Sequence, residues 1–309
     1  MLSIGGKKND DLKIPLNNSI SMTIDSLYTI TSVEDSEKDI FIINGKEENN
    51  ERIKNYLNLF RNKFNKKDFL KIVTENNFPT SAGIASSASG FSALAFALDK
   101  YWNLNLSKKD LSILSRLGSG SACRSIYGGF VEWSKGNKDD GSDSYSIQIA
   151  DKDYWKEIRM IIAIVEDNKK VKSSSDGMSQ TVKTSPFYNC WLSSIENDLV
   201  NVRNAILERD IEKLGKTIEH NCLKMHATMI TTIPSVIYWR AGTLKVIEKV
   251  NEIRNNGYPC YYTIDAGPNV KIICEEKDLL NIKQQIENLK DIKKIMVSKC
   301  GDGPTFLED

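Results

Sequence analysis

The chain has 309 residues, 40% hydrophobic and 27% charged, a balance that excludes a disordered protein and allows one large or two ordinary domains. Its 42 Lys and Arg against 41 Asp and Glu leave a formal net charge of +1, so no nucleic-acid partner held through an overall basic field is expected. No stretch approaches the roughly 20 apolar residues of a membrane span, and Met1 to Asp11 lacks signal- or transit-peptide character, so no membrane partner is expected. The six cysteines are scattered without a Cys-x-x-Cys, and His220 and His226 are the only histidines. That excludes a zinc framework and a disulfide framework, leaving reduced, mostly buried thiols in a cytoplasmic protein and no metal-ligand set on the chain itself.

In chain order, residues 20–48 alternate in the manner of strands, as in Ser21–Ile24 and Asp39–Ile43, with Asn44-Gly45 as a hairpin-type turn. Residues 50–66 place Ile53, Leu57, Phe60 and Phe64 on one side of a helix. Leu70–Val73 is a strand stopped by Asn76-Asn77-Phe78-Pro79. A buried helix runs from Ser86 to about Tyr101, and another from about Ser107, its N-cap, to Leu117. Residues 128–133 and 144–149 are paired strands. A second block begins with strand Met160–Val165, followed by helical stretches at 186–208, 210–228 and 235–256, strand Tyr261–Asp265, helix 277–289 and strand Lys294–Val297. The pattern implies two α+β domains, residues 1–153 and 154–309.

The segment Pro79-Thr-Ser-Ala-Gly83-Ile-Ala85-Ser86-Ser87-Ala88-Ser-Gly90 concentrates Gly and Ser immediately before a helix. Backbone amides can converge there at the positive end of the helix dipole, a construction that holds phosphate without side-chain charge. Close packing of small residues is the competing reading, although it explains Ala88 better than a Ser pair behind a Pro and a Gly. No Gly-Lys-Ser/Thr follows, so this is not a Walker A loop. Ser119-Gly120-Ser121-Ala122-Cys123-Arg124 places two hydroxyls and a guanidinium on one short segment, suited to a carboxylate or phosphate or, alternatively, to a helix start with a surface ion pair. Asp265 stands at a strand end before Ala-Gly-Pro-Asn, where turn chemistry is the competing reading. Ser173-Ser174-Ser175-Asp176 is a hydroxyl-rich turn that N-capping alone would explain. The two histidines, six apart, read as structural, and Tyr188, Trp191, Tyr238 and Trp239 as core.

The pattern Pro-x-x-x-Gly-x-x-Ser-Ser-Ala resembles the phosphate loop of the GHMP kinase superfamily. The wider string Asn76-Asn77-Phe78-Pro79 to Gly90 resembles the ATP-dependent diphosphomevalonate decarboxylases within it. Three further segments, 15–23, 116–133 and 262–269, are similar to family segments and occur in the family's order. The resemblance implies a two-domain GHMP fold, with a ribosomal protein S5 domain 2-like N-terminal domain and a ferredoxin-like C-terminal domain. It implies ATP-dependent decarboxylation of diphosphomevalonate to isopentenyl diphosphate, with Mg2+ accompanying ATP and homodimers frequent in the family. A monophosphate decarboxylase, a GHMP kinase that stops after phosphorylation and a non-catalytic homologue are the alternatives.

By that resemblance Gly83, Ala85, Ser86, Ser87, Ala88 and Gly90 cradle ATP. Ser119, Gly120, Ser121, Ala122, Cys123 and Arg124 meet the substrate, with Arg124 on the carboxylate that leaves. Asp265 is the catalytic group at the substrate 3-hydroxyl. Arg52 matches a substrate-holding arginine, with a solvated helix charge as the alternative, and Ser174 and Ser175 match a phosphate-contacting turn. Some bacterial members have Arg in place of Ser175, which implies a weaker grip on the terminal phosphate here.

The family's Lys-Tyr-Trp-Gly-Lys aligns with Ser3-Ile4-Gly5-Gly6-Lys7, of which only Gly6 and Lys7 match. Lys7 is the remaining phosphate ligand on that segment, with a solvated charge as the alternative. The expectation is an N-terminally shortened sequence with an open sheet edge.

Overall fold

The computed structural model describes residues 2, 5–78, 86–165 and 172–307. Strands β1 (Lys7–Asn9) and β2 (Ile14–Pro15) form a short ribbon before β3 (Ser19–Met22). Next come β4 (Thr29–Asp35), β5 (Ile40–Ile43), β6 (Lys46–Glu47), α1 (Glu51–Phe64), β7 (Leu70–Asn76), α2 (Ser86–Tyr101) and α3 (Lys108–Gly118). A 3-10 helix, Gly120–Ile126, leads into β8 (Phe130–Trp133) and β9 (Ser146–Ala150).

Local sequence accounts for these elements. Asn44 and Gly45 both take positive φ, so β5 turns tightly into β6. Asn50 caps α1 by accepting the Ile53 N–H, and Asn65 closes it in the left-handed region. Ser107 caps α3 by accepting the Asp110 N–H. The sheets run β3-β8-β9 and β4-β7-β5-β6, the β5–β7 pair being parallel. Leu57, Phe60, Leu70, Leu98 and Leu114 pack a core beneath α1, α2 and α3. Beyond β3, Leu2 donates its backbone N–H to Ile20 O at 2.9 Å, and its side chain is buried.

The second block comprises β10 (Ile158–Ile164), α4 (Ser174–Thr184), α5 (Tyr188–Glu208), α6 (Ile211–Ile230), α7 (Ala241–Asn255), β11 (Cys260–Thr263), β12 (Val270–Glu275), α8 (Leu279–Glu287) and β13 (Lys294–Lys299). Its antiparallel sheet has the order β11-β12-β10-β13, with α7 leading into β11 and α8 into β13, a ferredoxin-like topology. Alternation along β10 divides the sheet between two helical layers. Met160, Ile162 and Ile164 face α5 and α6, whereas Ile161 and Ala163 face Val246 and Val250 of α7 and Ile282 of α8.

The β1–β2 ribbon and the 3-10 helix have no counterpart in the sequence reading, and three further elements differ from it. Strand β12 is additional, because Lys271 cuts its apolar residues to Val270 and Ile272–Cys274, which form neither an alternation nor a long apolar run. Helix α4 forms a full element of its own after the hydroxyl-rich turn. Strand β11 ends at Thr263, two residues before Asp265.

The two halves share a core: Ile20, Met22 and Phe130 of the first pack with Trp191, Leu199 and Val202 of α5. Glu132, buried on β8, takes a bidentate grip from Arg203 of α5, with a closest distance of 2.8 Å. The fork geometry pairs the buried carboxylate, which would otherwise be strongly destabilising.

Candidate active site

Helix α2 begins at Ser86, so its first amides lack intrahelical partners and its positive dipole end faces the segment before it. Ser86, Ser87, Ala88 and Gly90 form that first turn and a half, whereas Gly83 and Ala85 lie outside the described residues. The Ser87 and Ser119 hydroxyls are 3.1 Å apart, which joins the α2 terminus to the segment entering the 3-10 helix. Ser87 and Gly90 also line a cavity of about 190 Å³ whose other walls include Thr31, Thr74, Arg52 and Phe91.

Arg52 sits on α1 with its guanidinium 4.8 Å from the Phe91 ring centre, and it donates to Gly118 O at 3.0 Å. Gly118 is required there, since a Cβ would come within 2.3 Å of the Phe91 ring. Lys13 donates to the neighbouring Leu117 O. Burial, then the charges of Arg52 and Lys7, pull the Lys13 ammonium below its usual range. Lys7, Lys13 and Arg52 thus build a local positive field on a chain of almost no net charge. Nothing in the spacing of Lys13 marks it; tertiary packing alone brings it beside the other two.

On the far side Lys7 donates to Ser175 Oγ at 2.9 Å and to Asp10 at 3.0 Å. Ser173 caps α4 by accepting the Asp176 N–H, which leaves Ser174 and Ser175 exposed on the first turn. The capping reading and the ligand reading therefore fall on different serines.

Arg124 lies between these features. One of its terminal nitrogens donates to Ser19 Oγ on β3, and its guanidinium lies 5.9 Å from the Trp133 ring. Its Nε is buried with no hydrogen-bond partner among the described residues. Burial lowers its pKa from the usual arginine value, opposed in part by the negative charge of Asp265. A buried guanidinium with an unsatisfied donor is unstable unless an anion completes it. Ser121 and Gly120 are partly exposed beside it, whereas Ala122 and Cys123 are fully buried, so only their backbone can meet a ligand. Burial also pushes the Cys123 thiol up to about 11, which excludes a thiolate nucleophile.

Asp265 follows β11 in an off-sheet turn and accepts an ion-pairing hydrogen bond from Lys271 of β12. The register of β11 on β12 sets Thr263 opposite Lys271, so reading 270–275 as a strand would have placed this lysine beside Asp265. The preceding Ile264 is held from α6: its N–H donates to Cys222 Sγ at 3.2 Å, and its carbonyl lies 3.1 Å from His226 Nε2. His226 packs on Trp239, is buried, and has its pKa pushed down to about 4, mainly by that burial. It is a structural histidine, while His220 is exposed.

The start of α2 thus meets the Ser119 segment, Lys7 and Arg52 act on Lys13 through their charges, and Asp265 acts on Arg124 in the same way. Residues 2–146 match the family model of the diphosphomevalonate decarboxylase-like N-terminal domain, and 160–290 that of the mevalonate 5-diphosphate decarboxylase C-terminal domain. The chain belongs to the diphosphomevalonate decarboxylase family. It is 36% identical to the diphosphomevalonate decarboxylase of Candida albicans over 294 residues, 89% of this chain and 81% of that protein.

Among solved decarboxylases of the family, the mevalonate diphosphate decarboxylase of Staphylococcus aureus superposes with a TM-score of 0.92 at 40% identity. The match covers 98% of this chain and 92% of that one. A complex of MDDEF with MVAPP, AMPPCP and magnesium superposes with a TM-score of 0.90 at 42% identity, covering 98% of this chain and 94% of that one. The GHMP kinase fold expected from the sequence is therefore the fold of this chain.

Proposed function

We propose that Asp265, Arg124 and the start of α2 are the working parts of an ATP-dependent diphosphomevalonate decarboxylase. The enzyme converts (R)-5-diphosphomevalonate and ATP to isopentenyl diphosphate, ADP, phosphate and CO2, a step of the mevalonate pathway. The observation that carries the assignment of parts is the buried Nε of Arg124, without a partner among the described residues and within the electrostatic reach of Asp265.

The carboxylate of Asp265 accepts a hydrogen bond from the substrate 3-hydroxyl and takes its proton as the oxygen attacks the γ-phosphate of ATP. The resulting phosphate ester is a good leaving group. Its departure breaks the C–O bond, while the adjacent C–C bond to the carboxylate breaks and its electrons form the alkene. Arg124 holds that carboxylate with Ser119 and Ser121, so the breaking bond is fixed against the leaving phosphate. Lys7, Ser174 and Ser175 take the diphosphate end, and Arg52 strengthens the field that attracts it. Ser86, Ser87, Ala88 and Gly90, with Gly83 and Ala85 before them, receive the phosphates of ATP, and the adjoining cavity receives the nucleoside.

No group of three His, Cys, Asp or Glu side chains gathers among the described residues. Magnesium would accompany ATP, held by phosphate oxygens and water beside the Ser87 and Ser119 hydroxyls, hard oxygen donors of the kind it prefers. When bound it supplies neutralisation of phosphate charge.

The division at residues 153 and 154 separates the nucleotide-binding half from the ferredoxin-like half, in this reading. A cytoplasmic location is supported by six free cysteines, five of them buried. Among the described residues no helix is long and apolar enough to cross a membrane. A homodimer is the proposed assembly, checked by light scattering, with Val200 and Leu207 of α5 among the exposed apolar side chains available to an interface.

The test couples ADP release to CO2 release on the diphosphate and the monophosphate side by side. The diphosphate is expected to yield both products together, and Asp265→Ala to lower kcat by about 10²- to 10⁴-fold. ADP without CO2 would instead indicate a kinase, and full turnover by the variant would remove Asp265 from the mechanism.

A further inference from the structure

The carboxylate of Asp265 is the reacting base in the reading above, and this inference rests on it. Its main chain is held directly and through the residue before it. Ile264 is clamped by Cys222 and His226 of α6, and Gly267 N–H donates to Asp265 O at 2.7 Å. The side chain is another matter, since it is 47% exposed, and a carboxylate open to water does not keep one rotamer. Lys271 reaches it from β12, between the fully buried Val270 and Ile272, and its own side chain is only 14% exposed. A lysine in that position has little freedom to swing away.

Other described groups near Asp265 make hydrogen bonds of their own. Arg124, on the 3-10 helix, acts on Asp265 through its charge and donates to Ser19. From α6, His226 and Cys222 direct their polar atoms at Ile264. Lys271 hydrogen-bonds the carboxylate directly.

We propose that Lys271 is a positioning residue: its ammonium keeps the Asp265 carboxylate ionised and held in one orientation for the substrate hydroxyl. The cleft then divides its cations between two anions. Lys271 serves the protein's carboxylate, and Arg124 is left for the substrate's. Without Lys271, Asp265 loses a charge-assisted hydrogen bond, binds a proton more readily, and is ionised only at higher pH.

The experiment compares Lys271→Met, Lys271→Gln, Lys271→Arg and Asp265→Asn in the full chain, with kcat and KM measured from pH 5 to 9. Melting temperature and binding of a non-hydrolysable ATP analogue establish that each variant is folded. Lys271→Met and Lys271→Gln are expected to lose kcat about tenfold or more near neutral pH with KM within about threefold, and to raise the acid limb of kcat by about one pH unit. Lys271→Arg is expected to restore most of kcat and the wild-type limb. A purely structural lysine would lower the melting temperature without moving the limb, and that result overturns the proposal. So does a rise in KM at unchanged kcat, which would make Lys271 a substrate ligand. Wild-type turnover by Asp265→Asn would overturn the underlying assignment of Asp265. An inactive Asp265→Asn beside fully active Lys271→Met and Lys271→Gln overturns the role of Lys271 alone.

Discussion

The ammonium of Lys7 donates to Ser175 Oγ at 2.9 Å, although 168 positions separate the two residues in the chain. The contact ties the ribbon before β3 to the start of α4, and it places a full positive charge beside the exposed hydroxyls of Ser174 and Ser175. In the proposed reading the lysine, which also pairs with Asp10 at 3.0 Å, supplies the positive charge for the diphosphate and the serine only a neutral hydrogen bond.

Lys7→Met is therefore expected to raise KM for diphosphomevalonate about tenfold with kcat nearly unchanged, whereas Ser175→Ala raises it about twofold or less. Steady-state kinetics at saturating ATP measures both. Equal effects of the two substitutions would contradict this division.

Arg124 carries opposite consequences for activity and stability. Its buried Nε has no partner among the described residues, so Arg124→Met is expected to leave the melting temperature unchanged or raised, while kcat/KM falls by about 100-fold or more. Arg124→Lys keeps the charge but loses the planar fork, and a loss of about tenfold or more is expected there too. Thermal melts alongside product assays measure both effects. A marked drop in melting temperature for Arg124→Met would mean that the guanidinium stabilises the empty fold.

His226 makes stability depend on pH. In the folded protein its pKa is pushed down to about 4, mainly by burial, against an ordinary value of 6.5. Between these values the unfolded chain binds a proton that the folded one does not, so acid favours unfolding. Stability from this group is constant above about pH 6.5 and declines as pH falls toward about 4, by at most about 3 kcal/mol. Urea unfolding at pH 5 and 7.5 measures the slope, and His226→Gln is expected to flatten it relative to the parent. An identical slope in both proteins would rule out His226 as its source.

Much of the architecture was legible in the chain because its signals are local. Asn50 and Ser107 sit at the caps where side-chain oxygens are needed, and Asn44-Gly45 takes the two positive φ angles of its turn. The expected helix from Ser86 to Tyr101 is α2, and the Gly- and Ser-rich string ahead of it carried the family resemblance. Strand β12 escaped because Lys271 interrupts its apolar residues, leaving neither an alternation nor a run as long as that of β10.

What the sequence by itself determined was the residue types that chemistry requires and the periodicities of helices and strands, both set by neighbours a few positions away. Tertiary structure alone decided the pairings: Lys7 with Ser175, Arg124 with Ser19, Ser87 with Ser119, and Ile264 with Cys222 and His226. None has a spacing signature, because each joins separate elements whose approach is set by core packing rather than by the chain between them. The same packing gave Asp265 its lysine. Only six positions separate them in sequence, but the β11–β12 hairpin must form before Lys271 is beside the carboxylate it pairs with.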